Sequence, residues 1–168
     1  NIMTVGEVQK VLQNLLRERV PIRDLVGILE VLADHARLTK DLDYLTEVSR
    51  QALHRTISQL YASPEGKIHG IILHPGLEQA VAESIQPTRE GNYPVLEPDK
   101  ARAIFEQVKE YAEKAALQGI QPVILCSSRI RLPFRRMAER FIPNLPVIAY
   151  TELSPDLKIE ALGTVVLK

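Results

Sequence analysis

The stretch that decides the first part of the fold is LQNLLRERVPIRDLVGILEVL, from Leu12 to Leu32. Its apolar residues recur at helical spacing on both sides of Pro21, which indicates two amphipathic helices. Proline has no N–H to donate and its fixed φ suits the first turn of a helix, so Pro21 favours the start of a second helix. Two apolar stripes joined by a short link predict a helical hairpin.

Capping residues extend this prediction to a small helical domain over residues 1–62. Thr4 is positioned to cap the first helix, with Glu7 at capping-box spacing. Asp24 falls in the first turn of the second helix, where its charge suits the helix dipole. Turn residues at 63–66 end the domain. The three predicted helices span 5–18, 22–36 and 41–61.

The remaining sequence, 67–168, alternates short apolar runs with helical patterns. A strand, a helix and a strand within about 30 residues predict a βαβ unit. The fold class is therefore α then α/β, a small three-helix domain followed by a small α/β domain containing a βαβ unit. We expect a loop over 86–94 and a helix end at Gly119. The other elements are strands over 68–73, 122–126, 146–150 and 159–167, and helices over 74–85, 98–118 and 129–141.

Composition excludes several classes of protein. Acidic and basic residues number 21 each, so the net charge is zero and indicates neither a nucleic-acid nor an anionic-membrane partner. The single cysteine excludes an internal disulfide. No apolar run approaches the roughly 20 residues that span a bilayer, and nothing resembles a signal peptide. Because the first residue is Asn1 and not Met, we expect a piece of a longer protein.

Cys126 ends a predicted strand and precedes a helix, a common place for a phosphate-binding nucleophile. A phosphatase-type loop would need an arginine six positions later. That position is Leu132, and Arg131 falls one residue short. Ser127 and Ser128 remain as an anion site at a helix N-terminus, but serine is also an ordinary N-cap residue. We favour capping.

Other catalytic and metal-binding patterns are missing from the sequence. The histidines show no i, i+4 pair of the zincin type. There is no G-x-S-x-G motif, no glycine-rich phosphate loop and no interpretable carboxylate pair. We therefore expect no enzyme, no catalytic residue, no bound metal and no cofactor. The four histidines are His35, His54, His69 and His74.

Five arginines are concentrated in one predicted helix, and we expect them largely on the face opposite Ile130 and Phe134. A solvated helix face accounts for this pattern. A docking surface for an acidic partner is the sharper interpretation, since the planar guanidinium suits carboxylates. Nucleic acid is a weaker alternative because aromatic residues are few. The five are Arg129, Arg131, Arg135, Arg136 and Arg140.

A second charged cluster surrounds the turn of the helical hairpin. An exposed turn needs polar residues, yet such a cluster can also pair with a neighbouring subunit. The cluster consists of Arg17, Arg19, Arg23 and Asp24.

A helix-turn-helix DNA reader is a further possibility for the helical domain. Its recognition helix would open with Asp41, Asp43 and Glu47, whose charges phosphates would repel. We therefore expect no nucleic-acid partner.

The sequence resembles the FlhA/InvA/SctV family, the export-gate proteins of bacterial flagellar and virulence type III secretion. The resemblance is carried by VGEVQKVLQNLLRERVPIRDLVGILEVLADHA, LTEVSRQALHRTI, LHPGLE and VILCSSRIRLPFRRMAERFIPNLPVIAYTEL, in the family's order. The NLLRERV and FIPNLPVIAY segments are more similar to flagellar FlhA than to the virulence members. A virulence export-gate subunit is the alternative, and a soluble anion-binding or DNA-binding domain comes after it.

The resemblance implies a function without catalysis. Residues 1–62 and 67–168 would be the third and fourth cytoplasmic subdomains of a membrane-anchored export gate. It would lie on the cytoplasmic side of the inner membrane, this part being soluble. The resemblance further implies a nonameric ring that receives chaperone–substrate complexes, ATPase-complex components and other gate subunits. The cluster around Arg17 would then lie between subunits, and the arginines of 129–140 would face a partner or a neighbouring subunit.

Overall fold

The computed structural model describes residues 2–168, which divide into two units. The first unit contains the chain up to Leu60 together with Glu152–Ser154. The second contains residues 61–151 and 155–168. Helices come first along the chain and alternating strands and helices follow. The predicted order, an α part followed by an α/β part, is confirmed.

Helices whose apolar residues face one another form the first unit. The buried apolar side chains of this unit come from the helices and from the turn after the first helix. They include Leu15, Val20, Ile28, Leu32, Leu45 and Ile57. The helices are α1 (Val5–Arg17), α2 (Leu25–His35), α3 (Leu42–Ala52) and α4 (His54–Tyr61).

The predicted capping box is present at the start of α1. The Thr4 hydroxyl accepts the Glu7 N–H at 3.1 Å, and the Thr4 N–H donates to the Glu7 carboxylate at 2.8 Å. The predicted start of the second helix at residue 22 is wrong. Asp24 is its N-cap and accepts the Gly27 N–H at 3.0 Å. A side chain that accepts a first-turn N–H determines the helix start, so Pro21 lies in the connection.

The third predicted helix, 41–61, is two helices that meet at Leu53. The N–H of Leu53 bonds back to the carbonyls of Ser49 and Arg50, and its side chain is buried. The interruption lasts one residue and leaves the apolar spacing unchanged on both sides. The hydrophobic pattern therefore could not reveal it.

A four-stranded parallel sheet forms the centre of the second unit, in the order β5-β4-β1-β6. The predicted βαβ unit is β4–α7–β5, whose strands are parallel neighbours. One face of the sheet packs with α5, α6 and α7 around Ile71, Ile124 and Val147. The elements are β1 (Lys67–Leu73), α5 (Pro75–Ser84), β2 (Ile85–Thr88), β3 (Gly91–Pro94), α6 (Pro98–Leu117), β4 (Pro122–Cys126), α7 (Arg131–Phe141), β5 (Val147–Ala149), a 3-10 turn (Tyr150–Glu152) and β6 (Lys158–Val165).

The loop predicted over 86–94 is wrong, because β2 and β3 form an antiparallel hairpin there. Its two-residue turn precedes Gly91, whose φ of 94° suits glycine. Proline, glycine and asparagine are poor strand formers, so the local sequence indicated a loop. Contacts of β3 with α5 and α7 stabilise the hairpin instead.

Candidate interaction surfaces

The turn after α1 presents Arg19 at the surface. Arg19 adopts the left-handed conformation, with a φ of 63°. Its N–H bonds to the Leu16 carbonyl at 2.9 Å, and the Val20 N–H bonds to the Leu15 carbonyl at 3.0 Å. This is a Schellman motif, in which glycine is the usual left-handed residue. Val20 and Leu15 are buried, so their side chains hold the turn against the interior of the first unit.

The charged cluster predicted at the turn of the helical hairpin lies at the end of α1 and on the segment that leads to α2. Its four residues, Arg17, Arg19, Arg23 and Asp24, are all exposed. Asp24 uses its carboxylate to cap α2. Arg17 and Arg23 form no ion pair with any residue in the described range 2–168. We call the segment from Leu16 to Asp24 the arginine corner. Its two unpaired guanidinium groups are available to an acidic partner.

The predicted exposure of the α7 arginines is wrong for two of them. Arg131 is fully buried and its Nη1 donates to the Val147 carbonyl at 2.9 Å. Arg135 is 9% exposed and its Nη2 donates to the Pro143 carbonyl at 3.3 Å. Long apolar stems let arginines lie in a core when carbonyl groups accept from their heads. Neither residue belongs to an exposed docking face.

Two further α7 arginines contact the β2–β3 hairpin. Arg136 Nη1 donates to the Asn92 carbonyl at 3.1 Å. Arg140 Nη2 lies 2.7 Å from a Glu90 carboxylate oxygen, and its guanidinium lies 4.6 Å from the centre of the Tyr93 ring. Partial burial raises the pKa of Tyr93, and the charge of Arg140 opposes that rise. Arg136 and Arg140 therefore attach the hairpin to α7.

Arg129 is exposed before α7, and its Nη2 donates to Gln79 Oε1 at 3.1 Å. The predicted serine cap is wrong, since α7 begins at Arg131 with Ile130 as N-cap and no side-chain cap. The Ser127 hydroxyl instead accepts the Arg129 N–H at 3.1 Å.

The protein's own carboxylate occupies the place where an anion could bind at the end of β4. Glu78 accepts the Ser127 N–H at 3.0 Å. Tyr150 lies near this carboxylate. Burial raises the pKa of Tyr150, and the charges of Glu78 and Cys126 add to the rise. A phosphate at Ser127 would meet the negative charge of Glu78, which disfavours the anion-site alternative.

Residues 2–168 contain neither a cluster of metal-binding side chains nor a helix that could span a membrane. In that range no group of three or more histidine, cysteine or acidic side chains could hold a metal ion. No helix of the described chain is both long enough and apolar enough to cross a bilayer.

Sequence reasoning missed a buried polar group in the first unit. Arg50 and Glu152 are 3% and 1% exposed and bond to each other at 2.7 and 2.9 Å. Nearby, the Ser154 N–H donates to the Ser58 hydroxyl at 2.9 Å. Arg50 lies one helical turn after Thr46, which is also buried, but nothing in the local sequence marked either residue as buried. Nothing local marked Glu152.

Comparison with known proteins establishes the class to which this fold belongs. A model of the FHIPEP family matches residues 1–158, so the chain belongs to the FHIPEP family. It is 39% identical over 165 residues to the flagellar biosynthesis protein FlhA of Bacillus subtilis, and 36% over 164 residues to that of Escherichia coli. Each match covers 98% of this chain. The low calcium response locus protein D of Yersinia pestis is 29% identical over 166 residues.

Solved structures give the same result. The chain of nonameric EPEC SctV-C superposes with a TM-score of 0.84 and 29% identity, over 98% of this chain and 49% of that one. CdsV of Chlamydia pneumoniae in its complex with CdsO has a TM-score of 0.84 and 28% identity, over 98% and 48%. The resemblance stated from the sequence is confirmed. This chain spans about a quarter of the curated relatives, 24% of the Bacillus protein and 23% of the Escherichia coli protein.

Proposed function

We propose that this chain is a non-enzymatic docking and ring-forming module of the flagellar type III protein export gate, at the cytoplasmic face of the bacterial inner membrane. The observation that carries the proposal is the match of 98% of the chain to a protein solved as a nonamer. The higher identity to the two flagellar relatives favours a flagellar over a virulence system. Residues 1–62 and 67–168 would be its third and fourth cytoplasmic subdomains.

The proposed partners are other copies of the chain and proteins that dock on the ring. The complex of CdsV with CdsO supports a second protein partner, for which we propose components of the export ATPase complex. We also propose chaperone–substrate complexes and other gate subunits as binding partners.

The arginine corner is the surface that we assign to ring contacts. Arg17 and Arg23 support this role because they are exposed and lack an ion pair within residues 2–168. Arg129 remains as an exposed residue for a partner of the second unit, with Arg136 half-buried nearby on α7.

Charge reversal of the corner tests the proposal. In the full-length protein that carries this sequence, Arg17→Glu with Arg23→Glu is expected to reduce the fraction of rings seen by electron microscopy. Arg55→Glu is the control, since Arg55 is also exposed in the first unit but lies outside the corner. Rings that form equally well in the double variant would contradict the assignment of the corner. A wild-type protein that forms no ring would contradict the proposed function itself.

A further inference from the structure

Strand β6 forms an open edge of the parallel sheet. It pairs with β1 on one side, and within residues 2–168 no strand lies on its other side. An edge strand carries a row of backbone groups with which another strand can pair, and proteins usually block such a row. In this protein the row is blocked over only part of its length.

Side chains of α6 block the C-terminal half of this edge and the residue that follows it. The Gln107 amide accepts the Val166 N–H at 3.0 Å and donates to the Val166 carbonyl at 2.8 Å, as a residue of a neighbouring strand would. The Tyr111 hydroxyl donates to the Thr164 carbonyl at 3.4 Å. The Tyr111 ring lies so close to Gly163 that a Cβ there would come within 2.3 Å of it. A further strand therefore cannot enter beside this half.

The N-terminal half of the edge is open. The Lys158 N–H donates at 3.0 Å to the Gly66 carbonyl, on the side of β1. Backbone groups alternate in direction along a paired strand, so those of Ile159 and Ala161 point away from β1. Within the described chain neither residue makes a hydrogen bond on that side. Residues 158–161 are all exposed, Ile159 by 46%, so this half can accept another strand.

The sequence of the open half is complementary to itself when two copies run antiparallel. With Ile159 opposite Ile159 of a second copy, Lys158 lies opposite Glu160 on both sides of the two-fold axis. Opposite charges and apolar side chains that face each other across strands stabilise an antiparallel pair. The outward N–H and carbonyl of Ile159 are the groups that this register needs, because opposite residues of a hydrogen-bonded pair exchange both bonds. One register therefore suits the side chains and the backbone together.

The two charged side chains are available for this contact. Lys158 forms no ion pair with any residue in the described range. Glu160 approaches Lys67 Nζ at 3.5 Å and His69 Nδ1 at 3.7 Å, yet its side chain stays 52% exposed. Both approaches involve Oε2. A carboxylate accepts through both of its oxygens, so Oε1 can receive a lysine of the second copy.

We propose that β6 of one copy pairs with β6 of a second copy in this antiparallel register, over residues 157–161, which joins the two sheets into one. A second copy is the occupant because the segment complements its own charges and its own apolar side chain. The contact is two-fold, whereas neighbours around a cyclic ring are joined head to tail. It is therefore separate from the ring contact assigned to the arginine corner and does not rest on the proposed function. A paired segment this short makes a small, transient interface.

Cysteine cross-linking in the full-length protein tests the register. The Cα atoms of opposite residues in a hydrogen-bonded antiparallel pair lie about 5.5 Å apart, a distance that a disulfide spans. Ile159→Cys is therefore expected to link to itself under mild oxidation. Thr164→Cys is the matched control, since it is exposed on the same strand but lies in the blocked half, and it should stay unlinked. Cys126 is buried, and the unsubstituted protein gives the background.

Three results of this experiment would overturn the proposal. They are an Ile159→Cys protein that does not link, linkage of the control to the same extent, and linkage of Ile159→Cys only to a different protein. The last result would make an extended segment of that protein the occupant of the edge. The ring test of the proposed function is independent of all three.

A charge swap provides the second measurement. In the Ile159→Cys protein, Glu160→Lys places lysines opposite each other on both sides of the axis and should reduce linkage by about fivefold or more. Adding Lys158→Glu returns opposite charges to the same register and should restore linkage. Glu113→Lys, at an exposed position on α6, is the control for the change in net charge. A charge-swapped protein that melts like the wild type but does not link would overturn the proposal, as would linkage that Glu160→Lys leaves unchanged.

Discussion

Arg50 and Glu152 form a buried ion pair across 102 residues of sequence. Arg50 Nε lies 2.7 Å from Oε2 and Nη2 lies 2.9 Å from Oε1. Two parallel bonds of this kind fix both the distance and the plane of the carboxylate. Glu18 approaches the same guanidinium at 3.6 Å. The pair joins α3 to Glu152, which belongs with residues 153–154 to the first unit.

Removing one member of this pair is expected to destabilise the protein strongly. Arg50→Leu should lower the free energy of unfolding by about 3–5 kcal/mol, because Glu152 would remain buried without its partner. Arg50→Leu with Glu152→Leu should recover more than half of that loss, since an apolar pair needs no counter-charge. Urea denaturation measures both. Arg55→Leu, at an exposed position, is the control. If Arg50→Leu lowered the free energy of unfolding no more than this control does, the prediction would be contradicted.

Substitution of a buried α7 arginine is expected to lower the free energy of unfolding more than substitution of an exposed one. Arg131→Met should cost about 2–4 kcal/mol, because it leaves the Val147 carbonyl in the core without its donor. Arg140→Met should cost less than about 1 kcal/mol, since its ion pair with Glu90 is exposed. The free energy of unfolding of each variant is compared with the wild type. Equal losses for the two variants would refute this division.

The ends of α1 and α6 provide a matched pair of turns. Gly119 after α6 has a φ of 72° and Arg19 after α1 has 63°. Only arginine carries a Cβ, which opposes the left-handed conformation. Arg19→Gly is therefore expected to raise the free energy of unfolding by about 0.5–1 kcal/mol, and Gly119→Arg to lower it by about 1 kcal/mol.

Arg19→Ala separates the backbone effect from loss of the arginine head. It retains a Cβ, so the gain expected for glycine should be absent. The three variants are compared by thermal denaturation. A stabilised Arg19→Ala would show that the side chain, and not φ, causes the effect.

The capping box should make stability depend on pH in the acid range. The bond from the Thr4 N–H lowers the pKa of Glu7 most strongly and desolvation opposes it, while the Thr4 hydroxyl and the charge of Lys40 lower the pKa further. A lowered folded pKa means that the contribution is complete above the unfolded value of about 4.3 and is lost as the pH falls through the folded value.

Glu7→Gln tests this dependence because the amide retains a capping oxygen but does not titrate. The melting temperature of the wild type should exceed that of the variant near neutral pH, and the gap should narrow toward about pH 3. A gap that stays constant over this range would count against the charge of Glu7 as its cause.

Local chemistry explains which elements could be predicted. Thr4 and Glu7 are three residues apart, and the run from Pro122 to Cys126 is continuous and apolar, so both signals lie within a few residues. The hairpin at 85–94 could not be found this way, because its stabilising groups come from α5 and α7. The same holds for Arg131, whose acceptor lies 16 residues away on β5.

The sequence by itself determined that an α part precedes an α/β part, the capped start of α1 and membership of the FHIPEP family, since these depend on short-range spacing and residue identity. Only the tertiary structure decided which arginines are buried, because burial of a guanidinium depends on acceptors brought close by distant parts of the chain. Arg50 and Arg17 are both charged, and each lies in the last turn of a helix. One is held by Glu152 in the core, and the other remains at the surface for a partner.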